Sequence, residues 1–361
     1  MSQHPTARRY TQLVACASGA LLVLTACGGG GGGGENSATS GELRTFTYED
    51  TIDPDIIGAF TSENPDIDLK TAIFDSVDEG AAKLNAGFST DVVEVCLDEA
   101  KPLTEDQLLA PIDTSKLTNW EALDPTFREA KGVVIDGDVT MVPASAGPHG
   151  ILYATDAFPD GVDSYAALFD PAYRGKVALD GGWLTALADT AMASGVTDPL
   201  AMTDEQIGQM KDKIQAAMAD GQFRTIADGD SDMSNLFKSG EVILADGGRG
   251  TAEAINSNGG NVTWVAPKEG TLSWMCGLGI SADAANVDAA YAFIDYYISP
   301  AAQGAIGDLG YVITNPNGLP EVAEEFQETA NPSDLEGTIP QFEPDNADVW
   351  RSAWQEIEAG G

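Results

Sequence analysis

The chain has 361 residues, 57 of them acidic and 18 basic, for a formal charge of −39. So large a negative excess argues against nucleic acid, whose phosphates demand basic patches. It fits a cationic ligand, or equally a heavily solvated surface suited to a high-salt habitat, and acidity alone names no ligand.

The first element is an export signal. Arg8 and Arg9 supply positive charge ahead of an apolar stretch from about Leu13 to Ala26, the order of a secretory leader and too short for a secure bilayer span. It ends in Leu24-Thr25-Ala26-Cys27, which resembles the lipobox of bacterial lipoproteins, where the Cys is lipidated and becomes the new N-terminus. Residues 1–26 are then leader, and 27–42 are a lipidated Cys followed by a tether. Gly28 to Gly34 are consecutive glycines followed by small polar residues, a stretch that cannot bury enough apolar surface to order itself. Fully stretched, Cys27 to Glu42 would reach on the order of 50 Å. Removing the leader takes away two arginines and no acid, so the mature chain is more acidic still.

The remaining chain, roughly 320 residues, is long enough for two domains. Leu43 to Tyr48 reads as a strand, and Asp53 to Ser62 as a helix with Pro54 in its first turn. Ile67 to Ile73 is a second strand. Asp91 to Cys96, apolar apart from its acids, is a third. This is the β-α-β order of a parallel sheet covered by helices. Val177 to Leu179 and Val242 to Ala245 read as further buried strands. Thr203 to Asp220 is a helix capped by Thr203, with Ile207, Met210, Ile214 and Met218 along one face. Ala285 to Ile298 is another, closed by Pro300. The order predicts two α/β lobes with a cleft between them, where ligands favour the ends of parallel strands.

Catalytic chemistry finds little support. After the leader the only histidine is His149, so a multi-histidine metal site is unavailable and a triad would have to use this one residue. Gly247-Gly248-Arg249-Gly250 lacks the Lys-Ser/Thr of a phosphate loop and the dinucleotide spacing, and reads as a turn. Tyr296-Tyr297 lies inside an apolar helical pattern and reads as packing. A hydrolase would need a nucleophile–base pair that the sequence does not offer, and no cofactor or metal motif is present. Cys16 leaves with the leader, so Cys96 and Cys276 remain beside Cys27. In an oxidising compartment they form either a disulfide or two separate buried thiols.

Three stretches resemble the polyamine-binding periplasmic proteins, the spermidine/putrescine receptors of bacterial import systems. They are Ile112-Asp-Thr-Ser-Lys-Leu-Thr-Asn-Trp-Glu-Ala-Leu-Asp-Pro125, Ser164-Tyr-Ala-Ala-Leu-Phe-Asp-Pro-Ala-Tyr-Arg-Gly-Lys176 and Trp264-Val-Ala-Pro-Lys-Glu-Gly-Thr-Leu-Ser-Trp-Met275. Gly310-Tyr311 follows the third. The resemblance covers nearly the whole mature chain. It implies a periplasmic-binding-protein fold of the α/β class, two lobes joined by hinge strands. One lobe spans 43–142 plus 268–315, the other 143–267, and a helical tail, 316–361, packs across them. It also implies a monomer that hands its solute to the membrane permease of an ABC importer, uses no cofactor and performs no catalysis.

The ligand site the resemblance implies needs carboxylates for ammonium groups and aromatic faces for methylene chains. Trp274 matches the family's cleft tryptophan and Tyr311 its cleft tyrosine. Tyr48, Glu49 and Asp50 occupy the segment after the first strand. Asp180 and Trp183 lie in the loop after the second-lobe strand, and Asp98 stands where an aromatic is usual. Cys276 replaces the family's amine-gripping aspartate, and Cys96 replaces a small polar residue, so both are expected in the cleft wall, where they could pair. A disulfide there would favour a solute less charged than spermidine. A sensory lipoprotein that presents its ligand to a receptor is the reading from another class.

Overall fold

The computed structural model describes residues 39–74 and 76–360. The leader, Cys27 and most of the tether lie outside the described residues.

The N-terminal half follows the β-α-β pattern. Strand β1 (Gly41–Thr47) leads to α1 (Pro54–Glu63), whose first turn holds Pro54 and whose open N–H at Asp55 is capped by the Asp53 carboxylate at 2.8 Å. Strand β2 (Ile67–Ile73) pairs in parallel with β1 over its whole length, and α2 (Val77–Asn85) returns the chain to β3 (Val92–Cys96) on the other side of β1. Every residue of β3 is buried, as in a strand covered on both faces.

A long strand, β4 (Val142–Ala154), follows. The second α/β unit then runs through β5 (Val177–Asp180), α3 (Trp183–Met192), α4 (Asp204–Ala219), β6 (Phe223–Ala227), α5 (Gly229–Ser239), β7 (Leu244–Gly248), α6 (Arg249–Ser257) and β8 (Val262–Val265). The Thr203 hydroxyl and the Gln206 side chain close a capping box at the start of α4, as the sequence predicts. Strand β9 (Leu272–Ser281), α7 (Val287–Tyr297), α8 (Pro300–Asp308) and a final helix, α9 (Ala347–Ala359), complete the chain. Pro300 does more than stop α7. It opens α8, with Ser299 as the cap.

The main strands run β2-β1-β3-β9-β4-β7-β5-β6, a single curled sheet whose two halves carry separate cores. Phe46, Phe60, Leu278 and Phe293 belong to the first core. Ile151, Leu179, Ile214 and Trp350 belong to the second, on one face of the second half, and Leu152, Phe237 and Ile255 to a third on its opposite face. Ile151 and Leu152 falling on opposite faces is the period-2 alternation of a strand.

Among the described strands, only β4 and β9 supply residues to both the first core and the second. Val142, Ala144 and Ala146 of β4 enter the first and Ile151 and Tyr153 the second; Leu272 of β9 enters the second and Leu278 and Ile280 the first. These two paired strands join the lobes. Their register shifts between Cys276 and Gly277, where a side chain would not fit, because a Cβ on Gly277 would sit 2.3 Å from the Val142 carbonyl oxygen. The three sequence motifs meet these frames. Ser164 hydrogen-bonds the Glu269 carboxylate, tying the second motif to the third, and Asn119 of the first donates its N–H to Asp295 of α7 at 2.9 Å.

Candidate functional site

A cavity of about 260 Å³ lies where β4 and β9 cross between the cores. Eight of the nine residues expected at a ligand site line it: Tyr48, Asp50, Asp98, Asp180, Trp183, Trp274, Cys276 and Tyr311. Glu49 does not. Its side chain is exposed, with the carboxylate 3.5 Å from the Ser231 hydroxyl at the start of α5. The chain has left the strand by this point: Glu49 has helical backbone, φ −65° and ψ −41°, and opens the tight turn Asp50–Ile52, which separates its side-chain direction from those of its neighbours.

The aromatic wall is built by close backbone approach. Trp274 and Tyr311 meet edge to face, ring centres 5.4 Å apart. Each ring rests on a glycine: a Cβ on Gly147 would lie 2.7 Å from the Trp274 ring, and one on Gly250 2.3 Å from the Tyr311 ring. Gly247 and Gly248 are therefore not a turn. They end β7, and Arg249 and Gly250 begin α6. Arg249 is buried there, paired with Asp334 and donating to the Thr329 carbonyl at 2.6 Å. Trp183, placed by the sequence in a loop, is the first residue of α3, and Asp180 is the last of β5. Trp183 is 7 % exposed, with the Arg351 guanidinium 4.7 Å over its ring, so it is mostly packed and shows the cavity only an edge.

The cavity is acidic beyond what the sequence indicated. Glu94, Glu99 and Asp230 join Asp50, Asp98 and Asp180 around it, and His149 is the one basic group among the described residues that line it. Glu94 is 5 % exposed. Its Oε2 accepts the Tyr48 N–H at 2.8 Å and the Thr51 hydroxyl at 2.7 Å, yet burial, reinforced by the Asp50 charge, pushes its pKa up to about 8. Asp98 rises to about 6 through burial, with Glu343 adding and Arg351 opposing. Asp230, which accepts the Thr251 hydroxyl at 2.6 Å, rises to about 6 by loss of solvation. Asp50 is raised for the same reason and opposed by the Tyr311 hydroxyl. Asp50 and Asp230 are nonetheless open to cleft water, so their charged forms cost less than that of the sealed Glu94.

Cys96 and Cys276 are directly opposite residues of β3 and β9, Cα atoms 4.0 Å apart and sulfurs at bonding distance, on the cavity wall. Among the described residues, two sets of donors lie close enough to hold a metal: Glu94 with the two cysteines, and His149 with Asp189 and Asp246, each set within 4.8 Å. With the sulfurs joined, the first offers no thiolate. Tyr297 is a buried core residue and Tyr296 donates its hydroxyl to the Ile56 carbonyl at 2.5 Å, so the tyrosine pair packs α7 as its apolar surroundings indicate.

Sequence reasoning missed Glu94 because it sits inside an apolar run, and Glu99, Asp230, Thr251 and Gln341 because they come from four separate segments. The charge inside the β3 run was the available signal for Glu94. Nothing local marked the others.

The geometry defines a two-lobed α/β protein with an acid-lined cavity of small-solute size between its lobes. A model of the bacterial extracellular solute-binding proteins matches residues 55–332, and the chain belongs to that family, which is defined by solute binding rather than catalysis. It is 26% identical over 352 residues to the putrescine-binding periplasmic protein PotF of Escherichia coli (strain K12), covering 90% of this chain and 93% of that one. Among solved structures it resembles a putative spermidine/putrescine ABC transporter protein from Listeria monocytogenes, with TM-score 0.78, 23% identity and 88% and 99% of the two chains covered. It also resembles the protein AgtB from A. tumefaciens R10 in complex with agropinic acid, with TM-score 0.70, 18% identity and 88% and 96% covered. These structures share the periplasmic-binding-protein fold. No helix among the described residues is long and apolar enough to cross a membrane.

Proposed function

We propose that this chain is the substrate-binding lipoprotein of an ABC importer, exported to the outer face of the cytoplasmic membrane or the periplasm and held there by lipid on Cys27, and that its solute is a small organic cation of the polyamine type. The observation that carries this is the cavity lining: six carboxylates and the Trp274–Tyr311 wall, with His149 the single basic group among the described lining residues. Carboxylates on both sides of an aromatic face suit ammonium groups joined by methylenes. Glu49 belongs to the rim of this site rather than its lining. The lobes are assigned as 43–142 plus 268–315 and 143–267, with 316–361 packing on both, and the chain acts as a monomer that closes on its solute and docks on the permease.

A less charged solute on the same scaffold is the second reading, favoured by Cys276. A disulfide between Cys96 and Cys276 puts neutral sulfur where the resemblance expects an aspartate. The PotF relative is named for putrescine, whereas a protein of like fold holds agropinic acid. A thermal-shift screen over putrescine, spermidine, amino acids, betaines and sugars separates the two, because a solute that binds only the folded state raises the melting temperature. Putrescine or spermidine should stabilise the protein and change tryptophan emission, and Trp274→Ala should abolish the emission change. A shift with betaines or amino acids and none with diamines would overturn the polyamine assignment and leave solute capture intact.

A further inference from the structure

Beneath the solute cavity, three titratable side chains converge inside the second lobe without any lysine or arginine between them. His149 from β4 is 3 % exposed, Asp189 from α3 1 % and Asp246 from β7 0 %. His149 Nε2 lies 3.0 Å from Asp189 Oδ2. Asp189 Oδ1 and Asp246 Oδ2 are sealed from water and have no hydrogen-bond partner. A buried, unpartnered carboxylate oxygen costs at least what a lost hydrogen bond costs, and two in one cluster mark a place built for something else.

We propose that His149, Asp189 and Asp246 bind one divalent transition-type metal ion of the Zn²⁺ kind, independently of the solute. The donor set is one imidazole nitrogen and two carboxylates within 4.8 Å of one another. Metal–ligand bonds of about 2.0–2.2 Å put neighbouring donors of a tetrahedron about 3.3 Å apart, so the 3.0 Å His149–Asp189 edge already has that size. Two carboxylates with a neutral imidazole carry two negative charges, which a divalent cation neutralises. Ca²⁺ is disfavoured because it takes six to eight oxygens. An outer shell is in place. The Asp180 N–H donates to Asp246 Oδ1 at 2.8 Å, and the Tyr165 hydroxyl lies against both Asp189 and the His149 carbonyl, 3.4 Å away. Such contacts fix ligand orientation in metal sites. His149 also lines the solute cavity, which gives the ion its route in and leaves a fourth position for water. Because the three ligands come from β4, α3 and β7, the ion would lock the hinge strand to the second lobe.

The test is zinc uptake by full-length oxidised protein after chelator treatment, followed by dialysis with metal analysis and by titration calorimetry with ZnCl₂. Without reductant, and with Cys16 and Cys27 replaced by Ser, no cysteine offers a thiolate. One equivalent of Zn²⁺ per chain is expected, with a higher melting temperature, and affinity should fall about tenfold or more in Asp246→Asn and His149→Gln. Co²⁺ in place of Zn²⁺ should give the intense visible bands of low-coordinate cobalt in the wild type, a readout that needs no variant. Failure to take up stoichiometric zinc, only the pale octahedral cobalt spectrum, or equal affinity in both folded variants would overturn the site, the last being what weak binding to surface carboxylates produces. None of these outcomes bears on solute capture, which the amine screen tests separately.

Discussion

Glu94 offers a sharp perturbation, because its two hydrogen bonds and its charge can be separated. In Glu94→Gln the amide oxygen can still accept the Tyr48 N–H and the Thr51 hydroxyl, while the negative charge is lost. The native carboxyl has a pKa of about 8, against an ordinary value of 4.5, through burial and then the Asp50 charge. The folded state therefore holds this proton more tightly than the unfolded state. That contribution to stability is fully present below about pH 4.5 and is lost as pH rises through 8. Each unit is worth 1.36 kcal/mol, so the loss has a ceiling of about 5 kcal/mol; because Asp50 titrates with Glu94, about 2–5 kcal/mol is the working range. For a chain of this size that is about 3–8 °C in melting temperature. Melting should be measured for both proteins from pH 5 to pH 9. The variant should match wild type near pH 5 and exceed it by several degrees at pH 9. Comparing the two at each pH cancels the self-repulsion of so acidic a chain. A variant equally destabilised at both pH values would refute the reasoning, since it would mean that Glu94 acts by shape alone.

Solute binding should release protons. A cation beside Asp50, Glu94 and Asp230 lowers raised carboxyl pKa values, so calorimetry with the stabilising amine at pH 7 should give apparent enthalpies that vary with buffer ionisation enthalpy. Gly250→Ala should weaken solute binding at least tenfold at near-wild-type helicity, because its Cβ would displace the Tyr311 ring; unchanged affinity would remove Tyr311 from the site. A Cys96–Cys276 bond would span 180 residues, and a loop of that length constrains the unfolded chain by up to about 5 kcal/mol. Reduction should lower the melting temperature by several degrees, and alkylated peptides should show both cysteines protected before it.

The periodic segments were legible because their structure depends on neighbours in sequence. Asp53 before Pro54 and Thr203 before Asp204 are caps written in adjacent residues, and the structure uses both. The glycine run 247–250 misled for a tertiary reason. Gly247 and Gly250 are small to admit Leu152 and Tyr311 from distant segments, and not to bend the chain. Trp274, Tyr311 and Cys276 could be placed only through a resemblance. Asp230 and Gln341 had no local mark at all, since each reaches the cavity through a different element of the fold.

The distribution of acids across the cleft bears on how capture works. Asp50 follows β1 of the first lobe, and Asp230 starts α5 of the second. Each is close enough to Tyr311 to raise its pKa, and the Asp50 charge raises that of Asp230. Bringing the lobes together thus brings like charges together, with no basic side chain beyond His149 among the described lining residues to offset them. In an empty protein that repulsion favours separation about β4 and β9. A cation between the carboxylates turns the same charges into attraction, and only such a difference in interaction between open and closed forms lets a solute shift the balance. A neutral solute leaves the repulsion in place and must draw closure from contacts with Trp274 and Tyr311. On the proposed closure, the cleft would discriminate by charge through the closing motion itself, so weakening Asp230 by Asp230→Asn should ease closure on uncharged compounds while loosening the grip on amines.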